Sequence, residues 1–154
     1  MRCGRGIDEG RETRDEGRGK RDERRRMKDE RGKISSVREL KVYQLGFDTA
    51  MEIFDISKSF PSEEKYSLTD QIRRSSRSVC SNLAEAWRKR KYPAVFINKL
   101  TDAEQEASET QTWLEFALKC RYINQETFNV LDEKYEHIFA MLITMERKSE
   151  SFCR

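Results

Sequence analysis

Histidine is almost missing from this sequence: His137 is the single one in 154 residues. A His-rich metal site, or a carboxylate-bridged pair of metals built on two Glu-x-x-His motifs, needs more than that. Glu133 and His137 share a helical face at i,i+4, but one such pair is no ligand set, so neither metal nor cofactor is expected. Glycine is scarce where a phosphate loop would need it. After Gly32 only Gly46 remains, which leaves no Gly-rich cradle for a nucleotide. Ser78 and Ser81 have no histidine near them in sequence, and Cys80 lies in a serine-rich run without a base to activate it. The inventory for catalysis is absent, and the expected protein is not an enzyme.

Long apolar runs are also missing. No stretch approaches the roughly 18 apolar residues that would span a membrane, and the start lacks the apolar core of an export signal. The four cysteines (Cys3, Cys80, Cys120, Cys153) form no C-x-x-C pair. Free thiols in a cytoplasmic protein are the expectation. Only two prolines, Pro61 and Pro93, interrupt the chain.

Charge is plentiful, at 38% of residues with a mean hydropathy of −0.93, but it is unevenly placed. Residues 1–36 hold 13 of the 31 Lys/Arg and 9 of the 28 Asp/Glu. The remainder therefore carries one more acid than base, and the basic pI of 8.7 belongs to the leader. Residues 1–35 have too few apolar side chains to offset ordering entropy, so a disordered charged leader is expected. Arg24-Arg25-Arg26 could follow a phosphate backbone. A solvated tail is the competing reading, as is an over-extended start with Met27 the true one.

From residue 36 to about 150 the pattern becomes helical. The first segment, 38–58, places Tyr43, Phe47, Ala50 and Phe54 on one face. The second begins near Ser67, read as an N-cap, with Leu68, Ile72, Ser75/Ser76, Val79, Leu83 and Trp87 inward. The third has Pro93 in its first turn and aligns Phe96, Leu100, Ala103, Ala107, Thr110, Leu114 and Ala117/Leu118. The fourth starts near Asn124 with Phe128, Leu131, Tyr135, Ile138, Leu142 and Met145. Four amphipathic segments joined by short connections predict an all-α, antiparallel up-down-up-down four-helix bundle behind the leader. Glu85, Glu106 or Glu109 with Asn82 and Thr110 are expected to form a polar network in its core.

Two features are left over. Val42, Leu45, Ile53 and Ile56 make a second apolar stripe on the first helix, and Trp113 and Phe116 leave the core stripe of the third. Exposed, these would form an oligomer interface; the alternative is a wide buried face plus scattered surface aromatics. The second helix also carries seven basic residues, Arg73, Arg74, Arg77, Arg88, Lys89, Arg90 and Lys91, against Glu85 alone. Such a ridge can contact successive phosphates of RNA or DNA. It can equally pair with the acids of the third helix, Asp102, Glu104, Glu106, Glu109 and Glu115, within or between subunits. The two functional expectations are thus a nucleic-acid-binding adaptor and a purely structural or protein-binding oligomer.

The run from Ser67 to Ala86, SLTDQIRRSSRSVCSNLAEA, resembles the hallmark stretch of the bacterial four helix bundle proteins, the 23S rRNA intervening-sequence protein family. Glu39–Gln44, Phe60-Pro61 and the block Glu106–Glu115 are similar to the family's other blocks, in the same order. The resemblance spans about 37–145. It implies a four-helix protomer in a barrel-like homopentamer, encoded in 23S rRNA intervening sequences. Relatives serve as accessory proteins of diversity-generating retroelements, binding a reverse transcriptase and nucleic acid, and no catalytic activity comes with the family. The family's basic positions correspond to Arg73, Arg74 and Arg88–Lys91. Cys80 replaces a usual proline and Ala86 a usual glycine, which predicts a straighter second helix.

Overall fold

The computed structural model describes residues 33–153; the expectation of a disordered leader falls on residues outside these, apart from the last three of 1–35. The chain divides into two units, Met1–Ser35 and Ser36–Arg154. The second unit is all-α. Its four long helices are α1 (Lys41–Ile56), α2 (Asp70–Arg88), α3 (Pro93–Lys119) and α4 (Gln125–Arg147), followed by the short α5 (Ser149–Phe152). No strand occurs among the described residues.

Each long helix packs on two others, in the cycle α1–α2–α3–α4–α1, so α1 stands diagonally from α3. The cross-contacts run in opposite senses along each neighbouring pair. Ser75 and Glu85 of α2 meet Thr110 and Lys99 of α3. Thr101 and Gln111 of α3 meet Glu146 and Asp132 of α4. The faces expected for the last three helices are the buried ones: Leu68, Ile72, Val79, Leu83 and Trp87; Phe96, Leu100, Ala103, Ala107, Leu114 and Ala117; Leu131, Tyr135, Ile138, Leu142 and Met145. Phe128 and Leu118 are only half-buried.

The first helix is rotated from the expected face, of which Ala50 is buried, Tyr43 and Phe54 are half-buried and Phe47 is exposed. Val42 and Ile53 are buried in the protomer core with Gly46, Thr49 and Ala50, and Leu45 and Ile56 are half-buried beside them. Phe47 is 50% exposed and stacks on Tyr43 along the outside, at a centroid distance of 6.2 Å. Of the expected interface stripe Val42, Leu45, Ile53 and Ile56, the buried Val42 and Ile53 are therefore withdrawn, while Leu45 and Ile56 keep part of their surface outside the protomer. The reason is the seam with α2. A Cβ on Gly46 would lie 3.4 Å from Cys80 Sγ and 3.6 Å from Val79 Cγ1. These are contact distances with room for a methyl group and no more, so a phenyl ring at this seam would hold the two helices apart.

Two further local expectations change. Ser67 is not an N-cap; it lies inside a π-helical turn, Lys65–Thr69, and its hydroxyl donates to Glu64 Oε2 at 2.6 Å. Pro61 opens a 3-10 turn at Ser62–Glu64 that winds directly into α2, and the wide turn brings Leu68 and Thr69 inward to the Ile72 face. The carboxylate network in the core is replaced by a hydroxyl pair, Thr110 Oγ1 donating to Ser75 Oγ at 2.9 Å. Glu85 instead lies outside, paired with Lys99 at 2.8 Å. Helix α2 runs unbroken through Cys80. Burial and then Asp48 push the Cys80 thiol up to about 12, which keeps it protonated and unreactive.

Candidate nucleic-acid interface

The basic residues of α2 fall into two groups. Arg73, Arg74 and Arg77, with Asp70, Ser78 and Ser81, line an open groove of about 550 Å³. Their i, i+1, i+4 spacing puts them on one side of the helix, opposite Ile72, Val79 and Leu83. Arg88 closes the helix, and Lys89, Arg90 and Lys91 continue into the turn before Pro93. At about 1.5 Å per residue, Arg88 lies roughly 16 Å beyond Arg77.

Phe54 of α1 and Ser57 in the turn after it hold two of the first group, Arg73 and Arg77. Arg73 Nε donates to the buried Ser57 Oγ at 2.7 Å, which aims the rest of the guanidinium outward. Its plane lies 4.8 Å from the Phe54 ring centroid, and Arg77 lies 5.5 Å from the same ring. Lys58 Nζ is 4.6 Å away. Three cationic side chains thus gather around one phenyl ring, whose quadrupole attracts them, and Lys58 is also paired with Asp55 at 2.8 Å. Lys58 is the member that sequence reasoning missed. Its only signal there was the i,i+4 step from Phe54 at the end of the first helix.

Counter-charges do not silence the groove. Among the described residues, Arg73, Arg74, Arg77, Arg88, Lys89 and Lys91 make no ion pair with a carboxylate; Glu85 is taken by Lys99, and Asp70 is the one carboxylate that lines the groove itself. The ion pair between α2 and α3 is thus the reverse of the expected one: acid on α2, base on α3. Arg74 is close enough to Glu106 to favour its ionised form. Desolvation and the neighbouring Glu109 outweigh that influence, and the Glu106 carboxyl stays above its usual range.

The second group is arranged differently. The Arg90 guanidinium lies 3.4 Å from the Trp87 ring centroid, so it covers a buried indole as well as carrying charge. Lys91 sits 5.0 Å from the ring of Tyr92, which is half-exposed. Trp113 and Phe116, the expected leftover aromatics of α3, lie together at 5.9 Å, with Phe116 54% exposed and Trp113 donating to Glu109 Oε1. No group of three or more His, Cys, Asp or Glu among the described residues is placed to hold a metal. No described helix is long and apolar enough to cross a membrane.

A family model for the 23S rRNA-intervening sequence proteins matches residues 38–144, more than half of the chain. The chain belongs to that family. It is also similar to a crystal structure of a protein of unknown function from the S23 ribosomal protein family of Bacteroides thetaiotaomicron, at 32% identity and a TM-score of 0.63. That match covers 69% of this chain and 95% of the other. No match was found among proteins of curated function. All six basic positions of the expected site up to Arg90, and Lys91 with them, lie within the matched span.

Proposed function

We propose that this family member is a non-enzymatic cytoplasmic adaptor: an up-down-up-down bundle that self-assembles and holds RNA or DNA on the basic face of α2. The observation that supports it most is the open groove where Arg73, Arg74 and Arg77 converge without a carboxylate partner. Three guanidinium groups side by side suit phosphate oxygens better than any neutral ligand. Assembly is supported by two exposed aromatic patches, Tyr43/Phe47/Met51 on α1 and Trp113/Phe116 on α3, on diagonal helices. Different patches on opposite faces favour a head-to-tail contact, which closes into a ring when the rotation allows it. The family resemblance points to a pentamer, and to a larger nucleic-acid enzyme such as a reverse transcriptase as a further partner.

The test pairs binding with mass. Arg73→Glu with Arg77→Glu should abolish binding to a labelled RNA while light scattering gives an unchanged oligomer mass. In a salt titration of milder Arg→Gln variants, each lost phosphate contact should flatten the log–log slope by about 0.7–0.9. One observation favours a second reading, in which the charged helices pair between subunits: Glu106, Glu109 and Glu115 on α3 also lack an ion pair among the described residues. That reading gains if the double Glu variant loses its oligomer mass.

A further inference from the structure

The basic face of α2 ends in exposed aromatic rings. Tyr66, in the π-helical turn leading into α2, is 72% exposed, with Lys65 Nζ 5.2 Å from its ring centroid. Four residues on, Asp70 opens the groove, followed by Arg73, Arg74 and Arg77. Beyond Arg88, at the opposite end, stands Tyr92, 50% exposed beside Lys91. Neither ring stacks on another aromatic, and neither hydroxyl has a hydrogen-bond partner among the described residues. Exposed rings thus stand just before and four residues beyond a helix about 28 Å long whose outer side carries the arginine groove.

We propose that this surface binds an unpaired polynucleotide strand, with Arg73, Arg74 and Arg77 on its phosphates and bases stacked on Tyr66 and Tyr92. The inference rests on the nucleic-acid reading above and specifies the form of the ligand. A single strand offers both of the things this face can hold: a chain of phosphates and free base π-faces. A duplex offers only the first, because its bases are stacked on one another.

Fluorescence anisotropy on the full-length protein tests this with one labelled pyrimidine-rich strand, free and annealed to its complement. The strand alone should bind more tightly than the duplex. Tyr66→Ala and Tyr92→Ala should each weaken single-strand binding roughly 5- to 150-fold, the range of one lost stacked base, and leave duplex binding unchanged. Tyr66→Phe should retain single-strand affinity, and circular dichroism should give the same melting temperature for all variants, since both rings are exposed. Equal affinity for strand and duplex, or alanine variants that bind like the parent, overturns the single-strand assignment; if Arg73→Glu with Arg77→Glu still abolishes binding, the broader nucleic-acid reading stands. Absence of binding to either probe sinks both.

Discussion

Glu104 of α3 buries one carboxylate oxygen, Oε1, with no hydrogen-bond partner. Desolvation, and after it the neighbouring Glu146, hold its pKa above the usual carboxylate range. Two ionised carboxylates cannot bond to one another, whereas one proton between them makes a bond possible. A folded-state pKa raised above the unfolded value means stability that is present in acid and lost as pH rises through the folded pKa. Glu104→Gln removes the loss. It should raise the melting temperature at pH 7 by about 2–4 °C, as relief of a misplaced charge commonly does, and the gap to the parent should narrow near pH 4, where carboxyls begin to protonate. Equal melting curves at pH 7 would contradict this. Nothing in the heptad-like spacing of α3 distinguishes Glu104 from its exposed neighbours; only the packing of α4 against it does.

Elements differed in how much of them could be read from the chain. Helix α4 starts where Asn124 says it should, with its side chain accepting from Thr127 N at 2.8 Å, and α3 has Pro93 in its first turn. The end of α3 is less obvious. Tyr122 N donates to Ala117 O and Arg121 N to Leu118 O, the paired bonds of a Schellman cap, with Arg121 at φ 63°. A left-handed residue there is usually glycine, because a side chain costs about 1 kcal/mol in that conformation. Arg121→Gly should therefore stabilise the protein by about 0.5–1 kcal/mol in urea denaturation with the m-value unchanged. A destabilised variant would mean that the arginine side chain contributes more than its backbone costs. The face of α1 is the clearest misreading. Its aromatic stripe looked like the core because large rings dominate apolar patterns, yet Gly46, Thr49 and Ala50 suit the narrow seam with α2.

Across the whole molecule, turning α1 moves the expected assembly surface without removing it. Tyr43, Phe47 and Met51 take the place of Val42 and Ile53, and they face away from the Trp113–Phe116 patch because α1 and α3 are diagonal. If those two patches join successive copies, Phe47→Glu and Phe116→Glu should each reduce the oligomer to a monomer in light scattering, because either change removes half of a head-to-tail contact. Far-UV circular dichroism should stay helical in both, since each ring is at least half outside its own protomer. An unchanged mass in both variants would exclude these patches as the contact. The contrast with Val42→Glu is diagnostic: that change would bury an unpaired charge in the core and unfold the protomer.

Four helical segments, three of their buried faces, the N-cap at Asn124 and the basic run of α2 follow from residue order alone. Helical period and capping are local properties, set by neighbours three and four positions apart. Which side of α1 turns inward is decided by its neighbours, since the helix carries two apolar stripes and it is the one with Gly46 that meets Val79 and Cys80. Nor could spacing show that Glu85 is drawn off by Lys99, that Phe54 gathers Lys58 with Arg73 and Arg77, or that Tyr66 and Tyr92 stand clear at either end of the groove. Those pairings join residues up to two helices apart. They exist only once the bundle has closed.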